Sequence, residues 1–154
     1  MASLWLACDT SGSMVEGGKR LITRGLVRQI EQYFRFEYEE DVELRLAAWS
    51  DDIRPCAWNR DEEFPEELLE CRGAASGDAL VAFVDAHSGE SFVLITDGFW
   101  SSSSLSTIRS LREKVGPEVL RILKTGLDAN MSLRGADVFT SEEVLSLLSG
   151  WPAS

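Results

Sequence analysis

The chain has 154 residues, of which 44% are hydrophobic, and its 26 acidic and 15 basic side chains give a net charge of −11. This length is typical of one globular domain, so we expect residues 1–154 to form a single domain. The negative charge repels phosphate groups and anionic lipid surfaces, which argues against nucleic acid and membranes as partners.

The chain also lacks the marks of export and of membrane insertion. Its apolar runs are too short to cross a bilayer, and its N-terminus has neither the basic start nor the long apolar run of an export signal. We therefore expect a cytoplasmic location. Cys8, Cys56 and Cys71 lack the spacing of a disulfide framework or a thiolate metal site and are expected to be reduced.

The N-terminal half alternates a strand, a helix and a hairpin. Residues 3–8 form a short apolar run that is typical of a buried parallel strand. Apolar residues recur every three or four positions over 18–36, which predicts an amphipathic helix packed on a sheet. Residues 42–49 and 53–58 predict a hairpin, in which Pro55 places the second strand at the sheet edge.

The C-terminal half continues this alternation. Residues 64–71 fit either a short helix or a loop, 78–86 predict a helix, and 91–96 predict a central strand. The remaining predicted elements are a helix over 105–115, strands over 118–125 and 136–139, and a helix from Thr140 or Ser141 to Leu148. This order predicts an α/β fold with a doubly wound, mostly parallel, Rossmann-like sheet, one antiparallel edge hairpin and helices on both faces.

Two polar clusters follow predicted parallel strands: Asp9-Thr10-Ser11-Gly12-Ser13 and Thr96-Asp97-Gly98. Ligands bind to open parallel sheets beyond the carboxyl ends of the strands, where the strand order reverses. Two carboxylates brought together there repel each other unless a cation lies between them. The hard oxygen ligands favour Mg²⁺, with Mn²⁺ or Ca²⁺ as alternatives. We therefore predict a metal site that includes Asp9, Ser11, Ser13 and Asp97.

The same residues carry a family resemblance. The run from Asp9 to Met14 resembles the DxSxS motif of von Willebrand factor type A (vWA) domains, and Leu94-Ile95-Thr96-Asp97-Gly98 resembles their second acidic motif. Ser50-Asp51-Asp52 is similar to the hairpin of that family, and the order of elements agrees over nearly the whole chain. The resemblance implies a metal-ion-dependent adhesion site (MIDAS), in which both serines bind the metal directly and the aspartates act largely through water.

The third motif of the family is a threonine in the loop before the helix that precedes the acidic strand. Here the loop reads Gly73-Ala74-Ala75-Ser76-Gly77-Asp78, so Ser76 is the best match and keeps the hydroxyl. The family usually has an acid or amide directly after its threonine, whereas Gly77 separates Ser76 from Asp78. The resemblance implies that Ser76 or Asp78 completes the metal site.

Three apolar side chains, those of Met14, Phe99 and Trp100, lie in the loops that would surround the metal. An exposed aromatic rim around a polar centre is typical of binding interfaces, so we expect these residues to contact a partner. The alternative for Phe99 or Trp100 is that the ring folds inward onto the following helix.

The leading functional hypothesis is a non-enzymatic protein–protein interaction module whose metal captures an Asp or Glu of a partner. No general base is evident, because His87 falls far from the predicted site. One alternative is a phosphatase-like, Mg²⁺-dependent hydrolase with Asp9 as nucleophile, although Ser11 stands where such enzymes place an acid. The other is a degenerate vWA scaffold that binds partners without metal. The resemblance suggests a MoxR-type AAA+ ATPase, or another component of a multi-protein system, as partner.

Overall fold

The computed structural model describes residues 2–37 and 41–153. The strands described there, β1 to β6, span Ala2–Asp9, Val42–Trp49, Ile53–Cys56, Ser91–Thr96, Leu120–Lys124 and Val138–Thr140. The α-helices, α1 to α4, span Lys19–Phe36, Gly77–Ala86, Ser102–Val115 and Val144–Leu148. Short 3₁₀ helices occupy Gly12–Gly18, Glu66–Leu68 and Ser141–Glu143. No helix in these ranges is both long and apolar enough to span a bilayer.

The strands form one sheet in the order β3-β2-β1-β4-β5-β6. All neighbouring strands are parallel except β2 and β3, which form the antiparallel hairpin. Pro55 lies in β3 at the sheet edge. Proline has no backbone N–H, and at an edge this does not cost the sheet a hydrogen bond between interior strands. The predicted doubly wound fold is therefore confirmed.

Helices cover both faces of the sheet because successive strand residues point to opposite sides. In β1, Leu4, Leu6 and Cys8 pack in one core with the buried apolar residues of α1 and α4. Trp5 and Ala7 pack in the other core with those of α2 and α3. The carboxyl ends of the parallel strands thus emerge between two helical layers.

Some element boundaries differ from the predicted ones for local reasons. Helix α1 begins at Lys19 because Gly17 and Gly18 have φ of 60° and 69°, outside the helical region. Helix α3 begins at Ser102 rather than near Leu105, because the hydroxyl of Ser101 accepts the backbone N–H of Ser104 and caps the helix. The ambiguous segment 64–71 contains only the 3₁₀ turn Glu66–Leu68.

All three cysteines are free thiols. Cys8 is fully buried in β1, whereas Cys56 and Cys71 are partly exposed. Burial raises the pKa of the Cys8 thiol and so disfavours its reactive thiolate form. Cys8 belongs to the core and Cys56 packs against it.

A bidentate ion pair ties α3 to the start of β6. Arg112 donates from Nε to Asp137 Oδ2 over 2.6 Å and from Nη2 to Asp137 Oδ1 over 2.7 Å, with both side chains largely buried. Burial opposes ionisation of Asp137, but the hydrogen bonds and charge of Arg112 outweigh it, so the pKa of Asp137 lies below its ordinary value. The folded protein therefore binds a proton at Asp137 less readily than the unfolded chain does.

Asp137→Asn should lower the free energy of unfolding at neutral pH by about 2 kcal/mol, because it leaves a largely buried guanidinium without its counter-charge. A depressed folded pKa adds stability above the unfolded pKa of about 4, and that stability is lost as pH falls through the folded pKa. The difference between wild type and variant in urea denaturation should therefore shrink on acidification below pH 4. Asp52→Asn, in an exposed ion pair with Arg54, is the control and should have little effect at any pH.

Candidate functional site

Asp9 and Asp97 leave adjacent strands at the carboxyl edge of the sheet. β1 and β4 are parallel neighbours, with Cys8 opposite Ile95. Asp9 is the last residue of β1, Asp97 directly follows β4, and both side chains are buried. The chain winds from β1 to β2 and β3 on one side and returns to β4 on the other, so this is the switch point at which α/β sheets bind ligands.

Asp9 is held by hydrogen bonds from both loops. Its Oδ1 accepts the backbone N–H of Ser11 over 2.8 Å, and its Oδ2 accepts the hydroxyl of Thr96 over 2.6 Å. Thr96 Oγ1 in turn accepts the indole N–H of Trp100 over 3.1 Å. Burial raises the pKa of Asp9 despite its hydrogen bonds, and the charge of Asp97 adds to the rise. A cation at this position would favour the charged form of Asp9.

The two serines of the DxSxS motif place their hydroxyl groups together. Ser11 Oγ and Ser13 Oγ lie 3.4 Å apart, with Ser11 buried and Ser13 partly exposed. Between them, the backbone N–H of Gly12 donates to the carbonyl of Gly73 over 2.9 Å, which fixes the loop against the segment before α2. The structure thus brings four of the predicted ligands, Asp9, Ser11, Ser13 and Asp97, to one end of the sheet.

Lys19, which sequence reasoning did not single out, belongs to the same cluster. Its Nζ lies 3.1 Å from Asp97 Oδ2, 3.3 Å from Asp128 Oδ1 and 3.5 Å from the carbonyl oxygen of Ser13. The side chain is 1% exposed, and its ammonium lies 5.5 Å from the centre of the Phe99 ring. Burial lowers the pKa of Lys19, but the two carboxylates outweigh it and raise the pKa. The ammonium therefore stays charged beside Asp97.

One sequence signal could have drawn attention to Lys19. It is the first residue of α1, directly after Gly17 and Gly18. The N-terminus of a helix favours negative charge, so a lysine there works against the helix dipole. A basic residue at that position indicates a carboxylate partner elsewhere in the fold, here Asp97 and Asp128.

Ser76 caps helix α2 in this structure. Its hydroxyl accepts the backbone N–H of Ala79 over 3.1 Å and thereby caps α2. Within residues 2–37 and 41–153, no hydrogen bond joins Ser76 to Asp9 or Asp97. Asp78 lies in the first turn of α2 and, with Ser76, lines a separate cavity of about 290 Å³ between α2 and α3. The assignment of Ser76 or Asp78 as the fifth ligand stays a prediction.

The predicted rim residues differ widely in exposure. Met14 is 0% exposed, so the expectation that it contacts a partner is wrong for this structure, because the 3₁₀ turn points its side chain inward. Trp100 is partly buried against the core beside Trp49, with ring centres 5.9 Å apart, and follows the inward alternative. Phe99 is 49% exposed and is the one predicted rim residue placed to meet a partner.

Three further exposed apolar residues surround the cluster. Val15 follows the DxSxS loop, and Leu127 and Met131 lie between β5 and β6. The latter segment reaches the site because the backbone N–H of Asn130 donates to the carbonyl of Asp97 over 2.8 Å. We call these residues, together with Phe99, the apolar rim: Val15, Phe99, Leu127 and Met131.

The donor set fits a hard divalent cation, with only two charged side chains among its protein donors. Among residues 2–37 and 41–153, no three Asp, Glu, His or Cys side chains form a metal-binding cluster, so the candidate donors are the two carboxylates and the two hydroxyls. Oxygen donors of this kind suit Mg²⁺ or Mn²⁺, which keep several waters. Lys19 already supplies one positive charge to Asp97, so that a metal would be the second cation near this carboxylate.

Comparison with solved structures identifies the fold. An aerotolerance-related membrane protein of Bacteroides fragilis is 18% identical with a TM-score of 0.58, over 90% of this chain and 76% of that one. The manganese-loaded TRAP protein of Plasmodium vivax is 14% identical with a TM-score of 0.67, over 99% and 74%. The mussel byssus protein PTMP1, with a zinc-occupied MIDAS motif, is 12% identical with a TM-score of 0.59, over 95% and 44%. No family model and no curated protein sequence matches the chain.

The sheet order and these neighbours show that the chain has the von Willebrand factor type A fold. The resemblance inferred from the DxSxS and second acidic motifs is thereby confirmed at the level of the fold. This chain spans 44% of the mussel protein.

Proposed function

We propose that the protein is a metal-dependent protein–protein interaction module. The observation that carries the proposal is the meeting of two buried carboxylates, Asp9 and Asp97, with the paired hydroxyls of Ser11 and Ser13 at the switch point of a vWA fold. Two proteins with similar folds hold manganese or zinc, the second of them in a MIDAS motif. These likenesses support a divalent metal here, for which Mg²⁺ is our first candidate and Mn²⁺ or Ca²⁺ the alternatives.

The four oxygen-bearing side chains would hold the metal, with the hydroxyls as direct ligands and the carboxylates supplying its counter-charge. Bound there, the metal supplies a Lewis-acidic position that can take a carboxylate oxygen. The protein's own contribution is to hold the donors in place: Thr96 fixes Asp9, and the backbone N–H of Phe99 donates to Asp97 Oδ1 over 3.1 Å.

The charge of the site explains why capture of an acidic group requires a metal. Asp97 and Asp128 both pair with Lys19, whose side chain is too buried to reach a partner, and Asp9 lies at the same end of the sheet. With the overall charge of −11, an approaching carboxylate meets a repulsive field. A divalent cation reverses this repulsion locally, so the partner proposed here is a protein that presents Asp or Glu, of which a MoxR-type AAA+ ATPase is one candidate.

Two alternatives carry less support. A hydrolase would need a general base, but His87 at the end of α2 is engaged elsewhere: its Nδ1 lies 2.8 Å from the carbonyl of Phe83, and its ring packs on Trp5. A scaffold that binds partners without metal is favoured by one observation, the ion pair of Lys19 with Asp97, which compensates one carboxylate within the protein itself.

A peptide display library, screened on the immobilised protein in Mn²⁺ and again in EDTA, tests the proposed function. We expect the peptides released by EDTA to be enriched in Asp or Glu, because the metal is the group that attracts the carboxylate. Recovery of the same peptides in both conditions would favour the metal-free scaffold. EDTA-sensitive peptides without acidic residues would rule out carboxylate capture.

The apolar rim should supply the rest of the affinity. Phe99→Ala should weaken binding of those EDTA-sensitive peptides about tenfold, since a buried aromatic anchor dominates an interface of this kind. Fluorescence anisotropy with a labelled peptide measures the change. The matched control is Phe36→Ala, because Phe36 is 73% exposed but ends α1, about 25 Å along the helix from Lys19. Equal losses in the two variants would show that the partner does not use the rim.

A further inference from the structure

The Lys19 side chain lies in a buried position that is formed by the surrounding residues. Its ammonium has three oxygen partners, from Asp97, Asp128 and Ser13. Its aliphatic stem runs beneath Gly126, where an added Cβ would lie 3.0 Å from Lys19 Cε and 3.2 Å from Cγ. The glycine, at φ +100°, thus leaves room for the lysine. Lys19 is a built part of the site rather than a surface side chain that happens to rest there.

The ion pair compensates Asp97 within the protein. Asp97 is fully buried, with Oδ1 accepting the backbone N–H of Phe99 and Oδ2 accepting the ammonium of Lys19. A buried carboxylate without a cation is costly, and the lysine removes that cost in the absence of any metal. The same carboxylate is one of those proposed to balance a metal.

We propose that Lys19 is an internal counter-cation of this site that competes with the divalent metal for Asp97 and so sets the metal concentration at which the site fills. The inference rests on the proposed function, because it assigns a role to Lys19 toward that same metal. Two cations cannot share one buried carboxylate without mutual repulsion. Binding of the metal would therefore favour withdrawal of the ammonium from Asp97.

Asp128 is a second carboxylate with which the ammonium can stay paired when it leaves Asp97. Asp128 Oδ1 lies 3.3 Å from Lys19 Nζ, and the Asp128 side chain is 63% exposed, so it sits between the buried ammonium and solvent. A lysine side chain has four rotatable bonds and can keep its contact with Asp128 while it leaves Asp97. Lys19 paired with Asp97 would then mark the metal-free state, and Lys19 paired with Asp128 alone the metal-bound state.

Calorimetric titration of Mn²⁺ into wild type and Lys19→Met tests the proposal. We expect the variant to bind Mn²⁺ at least tenfold more tightly, because the competing charge is gone. Lys114→Met is the control for net charge: it removes one exposed positive charge on α3, where Lys114 Nζ lies 4.0 Å from Asp85, and should leave the affinity unchanged. Lys19→Gln removes the charge but keeps a hydrogen-bond donor for Asp97, so it serves if the methionine variant does not fold.

The outcomes separate this inference from the proposed function. Equal Mn²⁺ affinity in wild type and the Lys19 variants would overturn the role of Lys19 while leaving a metal-binding module. Binding by the variants alone would support the competition and refute metal dependence in the natural protein. Absence of binding in wild type and in a folded Lys19→Gln would overturn both. As a second readout, Mn²⁺ should raise the thermal unfolding midpoint more in Lys19→Gln than in wild type.

Discussion

Replacing Ser11 by alanine should weaken Mn²⁺ binding about 100-fold or more. The proposed ligand set consists of two hydroxyls and two carboxylates, so each hydroxyl is a large share of it. The fold should survive, because the bond that Ser11 makes to Asp9 Oδ1 comes from its backbone N–H and is kept in the variant. Calorimetric titration measures the loss, and circular dichroism checks the fold.

Ser76→Ala separates the two roles open to Ser76, a helix cap and a metal ligand. The hydroxyl of Ser76 caps α2, so its removal should lower the free energy of unfolding by about 1 kcal/mol, and a role as cap alone leaves the metal affinity unchanged. If Ser76→Ala instead abolishes Mn²⁺ binding as Ser11→Ala does, Ser76 is a ligand as the family motif implies. Unchanged affinity in Ser11→Ala would remove the DxSxS motif from the metal site.

Leu94→Ala should destabilise the protein by about 3–4 kcal/mol, as expected for a leucine truncated where the surroundings cannot collapse. Leu94 is fully buried in β4, the strand that carries Asp97, and packs in the core beneath α2 and α3. Because β4 lies between β1 and β5, its neighbours on both sides are fixed by sheet hydrogen bonds and cannot move in to fill the space. Urea denaturation followed by circular dichroism measures the change.

Leu127→Ala is the same substitution at a fully exposed position of the apolar rim and should change the free energy of unfolding by no more than about 0.5 kcal/mol. The two variants together separate the core from the rim. A loss at Leu94 no larger than the loss at Leu127 would contradict the packing described for the central strand.

The parts of the fold that were predictable from sequence are those with a strong local pattern. The apolar run ending at Asp9, the period of α1 and the Ser-Asp-Asp hairpin each identify one element without reference to the others. Alternating strands and helices predict a parallel sheet, and ligands bind to such a sheet beyond the carboxyl ends of its strands, where the strand order reverses. Asp9 and Asp97 follow two of these strand ends, so they are expected to lie together. The four candidate ligands needed no further information.

The parts that could not be predicted depend on contacts between distant segments. Leu127 and Met131 join the apolar rim only because Asn130 bonds to the carbonyl of Asp97. Met14 was misplaced because a residue in a polar loop can still point inward when the loop turns over the sheet. Lys19 was missed because its partners, Asp97 and Asp128, are far away in the chain.

The most direct test of the central claim is anomalous X-ray scattering from crystals soaked in Mn²⁺. We expect one anomalous peak at ligand distance, about 2.0–2.3 Å, from the hydroxyls of Ser11 and Ser13, with the ammonium of Lys19 withdrawn from Asp97. A saturating soak that leaves this position without an anomalous peak, with Lys19 still paired to Asp97, would contradict a metal site here.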